Sequence, residues 1–79
     1  MTWAVYLLRC KDGSLYTGST TNVARRVKEH QAGCGGAYTR RHRPVALVYT
    51  EPQPDRRSAQ RREFQIKHWP RVKKLALAG

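Results

Sequence analysis

The chain has 79 residues, enough for one domain (1–79) with a thin core and too few to enclose a deep small-molecule cavity. Sixteen Lys and Arg stand against five Asp and Glu, a formal charge of +11, which points to a polyanionic partner: DNA, RNA or an acidic membrane surface. There is no apolar leader, no run long enough to span a bilayer, and only two cysteines, Cys10 and Cys34, so a cytoplasmic chain with reduced thiols is expected.

Trp3 to Cys10 is aromatic and branched and reads as a strand. Lys11-Asp12-Gly13-Ser14 is a turn, and Leu15 to Ser19 returns as a second strand. A two-residue turn would place Tyr6 and Tyr16 on opposite faces. A three-residue loop with Gly13 left-handed pairs Cys10 with Ser14, sets Tyr6 opposite Gly18 and Tyr16 opposite Leu8, and puts both tyrosines on one face. The second register is favoured.

Asn22 suits a helix N-cap and Gly33 a stop, with Val23, Ala24 and Val27 as the apolar stripe between them. Arg26 and His30, four apart, share a helix face. Residues 33–43 read as a glycine-rich basic loop carrying Tyr38, Thr39, Arg40, Arg41 and Arg43. Val45 to Thr50 is a third strand entered through Pro44, after which Pro52 and Pro54 break the chain. Asp55 caps a helix from about Arg56 to His68, and Pro70 opens a last one, Arg71 to Ala78. The pattern β-β-α-β-α-α predicts an α+β fold, a three-stranded antiparallel sheet flanked by helices.

Glu63 falls within the apolar stripe marked by Ala59 and Ile66. Two environments are open to it: a carboxylate near the core that holds a cation, or a surface pair with Lys67 four residues on. A zinc site built from Cys10, His30, Cys34 and His42 has no paired Cys-x-x-Cys behind it and is not expected. The second constellation is Tyr6, Tyr16, Arg26 and His30. Each has an ordinary structural explanation alone. Together, on one predicted sheet face, they bring two phenols, a guanidinium and an imidazole to a strongly basic protein. A phenol titrates near ~10. A neighbouring cation would favour the phenolate, and an arginine suits a phosphodiester under attack.

Ala4-Val5-Tyr6, Tyr16-Thr17-Gly18, Asn22, Arg26-x-x-x-His30 and Arg62-Glu63-x-x-Ile66-Lys67 together resemble the GIY-YIG nuclease superfamily, in its small single-domain bacterial branch. The resemblance spans nearly the whole chain. It implies a metal-dependent endonuclease cutting DNA rather than RNA with low sequence specificity, in repair or processing. Tyr6 would be the general base or its relay, Tyr16 the second tyrosine, and Arg26 the transition-state arginine. His30 would tune the tyrosines, and Glu63 would hold one divalent cation, Mg²⁺ or Mn²⁺. The first tripeptide has Ala-Val for Gly-Ile and the second has Thr for Ile, changes of packing rather than chemistry. An asparagine that some larger members carry after the glutamate has no counterpart in Lys74-Leu75-Ala76-Leu77-Ala78. Arg25, Tyr38, Thr39, Arg40, Arg41, Arg43 and Lys67 are the candidate nucleic-acid contacts, with Tyr38 stacking on a base. A protein partner that supplies specificity is also expected; a membrane or a small-molecule substrate is not. The rival reading is a non-catalytic binding module that uses the same basic face.

Overall fold

The computed structural model describes residues 2–43 and 45–78, so the expected role of Pro44 at the entry to the third strand lies outside the described residues. The three strands are β1 (Trp3–Cys10), β2 (Leu15–Thr20) and β3 (Val45–Gln53). They form one antiparallel sheet in the order β2-β1-β3. The helices are α1 (Val23–Gln31), α2 (Ala37–Arg41), α3 (Arg56–Lys67) and α4 (Arg71–Ala78).

The hairpin has the three-residue loop. The Cys10 N–H donates to the Ser14 carbonyl at 2.9 Å, and Gly13, at φ 84°, takes the left-handed position that a side chain would resist. Tyr6 therefore pairs with Gly18 and Leu8 with Tyr16. Asn22 caps α1, its side chain accepting from the Arg25 N–H at 3.0 Å. At the other end Gly33, at φ 86°, closes a Schellman motif: the Cys34 N–H reaches the Glu29 carbonyl at 2.8 Å and the Gly33 N–H the His30 carbonyl at 3.1 Å. Asp55 caps α3 through the Ser58 N–H at 2.7 Å.

Alternation along β1 divides the molecule. Val5 and Leu7 face α3 and α4 and build a core with Ala59 and Ile66. Tyr6, Leu8 and Cys10 face α1 and gather with Val45, Tyr16, Val23 and Val27. Three local expectations are corrected. Residues 33–43 are not all loop, because α2 occupies Ala37–Arg41. The third strand does not stop before Pro52 but runs to Gln53. Proline lacks an N–H, and β3 is an edge strand, where one missing donor is tolerated. Ala24 is exposed, and the inward side of α1 is made by Val23, Val27 and His30. Among the described residues no helix is long and apolar enough to cross a membrane.

Candidate active site

Tyr6 stands at the middle of β1 and is buried, 1 % exposed. Its ring covers Gly18 on the neighbouring strand, where an added β-carbon would lie 2.5 Å from the phenol Cζ. Gly18 thus provides the space for the ring. The Tyr6 hydroxyl lies 2.9 Å from Nε2 of His30, which is fully buried near the end of α1. Nδ1 of the same imidazole lies 2.6 Å from the Thr39 hydroxyl on α2. Tyr16 packs against both rings, with centroids 6.4 Å from Tyr6 and 5.1 Å from His30.

Burial dominates the electrostatics of this pair. It pushes the Tyr6 phenol up to about 12; the neighbouring Tyr16 and Glu63 add to the rise, while Arg26 pulls the other way. Burial also holds His30 below the usual imidazole range, with Arg26 adding to the effect and Glu29 opposing it. At neutral pH the pair is a phenol against a neutral imidazole. The expectation that a nearby cation brings Tyr6 towards the phenolate is therefore corrected: Arg26 does favour it, but loss of water outweighs Arg26.

Arg26 rises from α1 beside Tyr6. Nη2 donates to the Gly35 carbonyl at 2.8 Å and Nη1 to Glu29 at 3.3 Å. Its side chain stays one-third exposed, so the anchored guanidinium still faces solvent.

Glu63 belongs to the other layer. Oε1 accepts a 2.6 Å hydrogen bond from Ser19, and Oε2 pairs with Lys67 at 2.7 Å, the carboxylate being only partly exposed. Ser19 pairs with Val5 and shares its sheet face, the one beneath α3. The five side chains do not all rise from one side of the sheet. Four come from the α1 side, and Glu63 approaches from α3 at the edge strand β2, where no further strand blocks the way. Of the two environments weighed for Glu63, the pair with Lys67 is present, on a carboxylate that is partly buried. Among the described residues no three His, Cys, Asp or Glu side chains gather as a metal-binding group. A single carboxylate with hard oxygen donors still fits Mg²⁺ or Mn²⁺, ions that keep several waters and need few protein ligands.

The outer candidates separate into two groups. Tyr38 is exposed, lies 6.1 Å from Tyr16 in a near-parallel stack and carries His42 stacked on it at 4.2 Å. Arg40, Arg41 and Arg43 are exposed around an open hollow that Gly33 and Gly36 also line. Arg25 is exposed on α1. Lys67 and Lys74 border a second hollow together with Tyr16 and Tyr38. Thr39 is the exception. It is fully buried and turned towards His30, so it has no surface to offer a nucleic acid, and its assignment as a contact is corrected.

Sequence reasoning missed four supports: Thr39 for His30, the Gly35 carbonyl and Glu29 for Arg26, and Ser19 for Glu63. Ser19 was accessible from strand parity, since it faces the same way as Val5. Gly35 was not, because it acts through its backbone carbonyl and through the space a β-carbon would take from the His30 ring.

The model of the GIY-YIG catalytic domain matches residues 2–76. The chain belongs to the GIY-YIG family. A UPF0213 protein of Desulfotalea psychrophila is 51% identical over 76 residues, covering 95% of this chain and 69% of the relative. A UPF0213 protein of Staphylococcus haemolyticus is 51% identical over 73 residues, covering 92% of this chain and 89% of the relative. The solution NMR structure of a UPF0213 protein from Bacillus halodurans superimposes with a TM-score of 0.61 at 49% identity, covering 98% of this chain and 82% of that one. These are GIY-YIG-like neighbours of the same β-sheet architecture, and the family is generally one of nucleases.

Proposed function

We propose that this chain is a single-domain, metal-dependent endonuclease that hydrolyses phosphodiester bonds of DNA with low intrinsic sequence specificity, in DNA repair or processing, with a protein partner adding specificity. The observation that carries the proposal is the buried Tyr6–His30 hydrogen bond, with Tyr16 packed against it and a solvent-facing Arg26 beside it. The phenol has an acceptor in place 2.9 Å away, although burial opposes the transfer, so the proton can move only as attack begins. If Tyr6 gives its proton to His30 Nε2, the phenol oxygen can take one from a water that attacks phosphorus. Arg26 is held through both terminal nitrogens yet stays one-third exposed, and it meets the negative charge that develops on the phosphate oxygens. Glu63 would hold the divalent cation, which supplies Lewis-acid stabilisation of the phosphate and the leaving oxygen. The exposed Arg25, Tyr38, Arg40, Arg41, Arg43 and Lys67 carry the polymer.

The rival, a binding module without catalysis, is favoured by the Lys67 ammonium already seated on Glu63, which occupies an oxygen that a metal would need. The two separate in one experiment. Purified protein is incubated with plasmid, single-stranded and branched DNA, with Mg²⁺ or Mn²⁺ and with chelator. The enzyme reading expects metal-dependent cutting that Glu63→Gln slows by about 100-fold, comparable to losing one transition-state donor, while binding persists. Cleavage by cleared Glu63→Gln protein at the parental rate would falsify the metal assignment. Binding without cutting on any substrate would favour the module.

A further inference from the structure

We propose that Thr39 is a positioning residue for this reaction, and that α2 therefore serves the polymer on its outer face and the proton relay on its inner face. The inference rests on the nuclease reading above and goes beyond it. Thr39 sits between exposed Tyr38 and exposed Arg40, yet it is fully buried, so the short helix presents one hydroxyl inward. That hydroxyl lies 3.5 Å from the Gly36 carbonyl, a weak bond in which only the threonine can donate. We assign the hydroxyl proton to Gly36, which leaves Oγ1 to accept from His30 Nδ1 across their 2.6 Å contact. Nδ1 then carries the imidazole proton. Nε2 is left with its lone pair directed at the Tyr6 hydroxyl, which donates to it.

The alternative tautomer would place a proton on Nε2 and remove the acceptor that Tyr6 requires. The segment preceding α2 adds a second hold. The Gly35 carbonyl accepts from Arg26 Nη2, and the missing Gly35 side chain leaves room for the imidazole. Residues 35–39 thus orient both His30 and Arg26. The groups facing His30 are Tyr6 on β1, Tyr16 on β2, Arg26 and Glu29 on α1, and Thr39 on α2. Thr39 is the one among them that can set the tautomer through Nδ1.

The test combines a spectroscopic and a kinetic arm. In ¹⁵N-labelled protein, without DNA or metal, His30 should show Nδ1 protonated and Nε2 bare. A protonated Nε2 would overturn the proposal whatever the activity. Thr39→Val keeps the size and removes the hydroxyl. It should mix the tautomers and lower the single-turnover cleavage rate by roughly 10-fold or more, a part of the usual worth of a placed base, with DNA affinity unchanged. Thr39→Ser should restore both readouts, which a loss of packing would not allow. If His30→Ala is inactive while Thr39→Val cuts at the parental rate, this proposal fails and the nuclease reading stands. If His30→Ala also cuts normally, the reading beneath it fails. Should Thr39→Val not fold, the tautomer in the parent protein and the Thr39→Ser rate decide.

Discussion

The two faces of the sheet are built to different rules. Under α3 and α4 lie Val5, Leu7, Ala59 and Ile66, apolar and fully packed. Under α1 and α2 the most buried side chains include Tyr6, His30 and Thr39, joined by hydrogen bonds. An apolar face contributes stability through area withdrawn from water and accepts changes of shape at moderate cost. A polar interior contributes little net stability for the same volume, and each member becomes costly as soon as its partner is lost. In a domain this small the α3 face carries most of the fold, with Ser19 and Glu63 as a polar pair at its edge strand, and the α1 face can hold a buried polar network.

The largest effects should come from altering one residue on each face in turn. Ile66→Ala should cost about 2–5 kcal/mol, as large-to-small core changes do, and leave whatever folded protein remains with intact site geometry. Gly18→Ala should cost less, about 1–3 kcal/mol for overpacking, but evict the Tyr6 ring and abolish cleavage. Urea melts beside single-turnover rates would show the crossing; a Gly18→Ala protein with normal cleavage would remove the division of labour.

Alkali acts on the α1 face through Tyr6. Tyr6 titrates higher in the folded protein, about 12, than the ordinary tyrosine value of 10.0. The neutral phenol thus favours the fold, fully so below the unfolded value. As pH rises from about 10 towards 12 the unfolded chain ionises first, and that contribution is lost. The stability of the parent protein should fall across that window more steeply than that of Tyr6→Phe. Parallel curves for the two would remove the claim that burial controls this phenol.

The smallest effect belongs to the α3 face. The Thr17 hydroxyl is buried with no hydrogen-bond partner among the described residues. Thr17→Val, of the same shape, should be neutral or stabilise by about 1 kcal/mol, with no change in cleavage. A clear loss of stability would reveal a partner for that hydroxyl.

Much of this was legible in the sequence because it follows from parity. Two loop lengths around Gly13 were open, and parity then stated for each which strand residues face each other; the step of four from Arg26 to His30 marked a helix face. Caps at Asn22 and Asp55 marked their helices because a short polar side chain before an amphipathic run has few other uses. The failures have equally local causes. Five residues starting after Gly36 carry too little pattern to announce α2, and without α2 there was no reason to turn Thr39 inward. Pro52 read as a stop because a strand at the edge of a sheet looks, in sequence, like one in the middle. The pKa of Tyr6 depended on how completely α1 covers it, a property of packing that residue identities do not state.

The central place of β1 also bears on how the chain reaches this structure. Its pairing with β2 closes over a loop of a few residues, whereas its pairing with β3 joins Cys10 to Val45 across α1 and α2. Short closures form earlier than long ones. In that interval β1 holds one hydrogen-bonded edge and one bare edge, beside Val5 and Leu7 with their apolar surface uncovered, an invitation to pair with another copy. The formal charge of +11 keeps such copies apart by mutual repulsion. The same charge would oppose self-association of a partly formed sheet, an opposition that dissolved salt weakens.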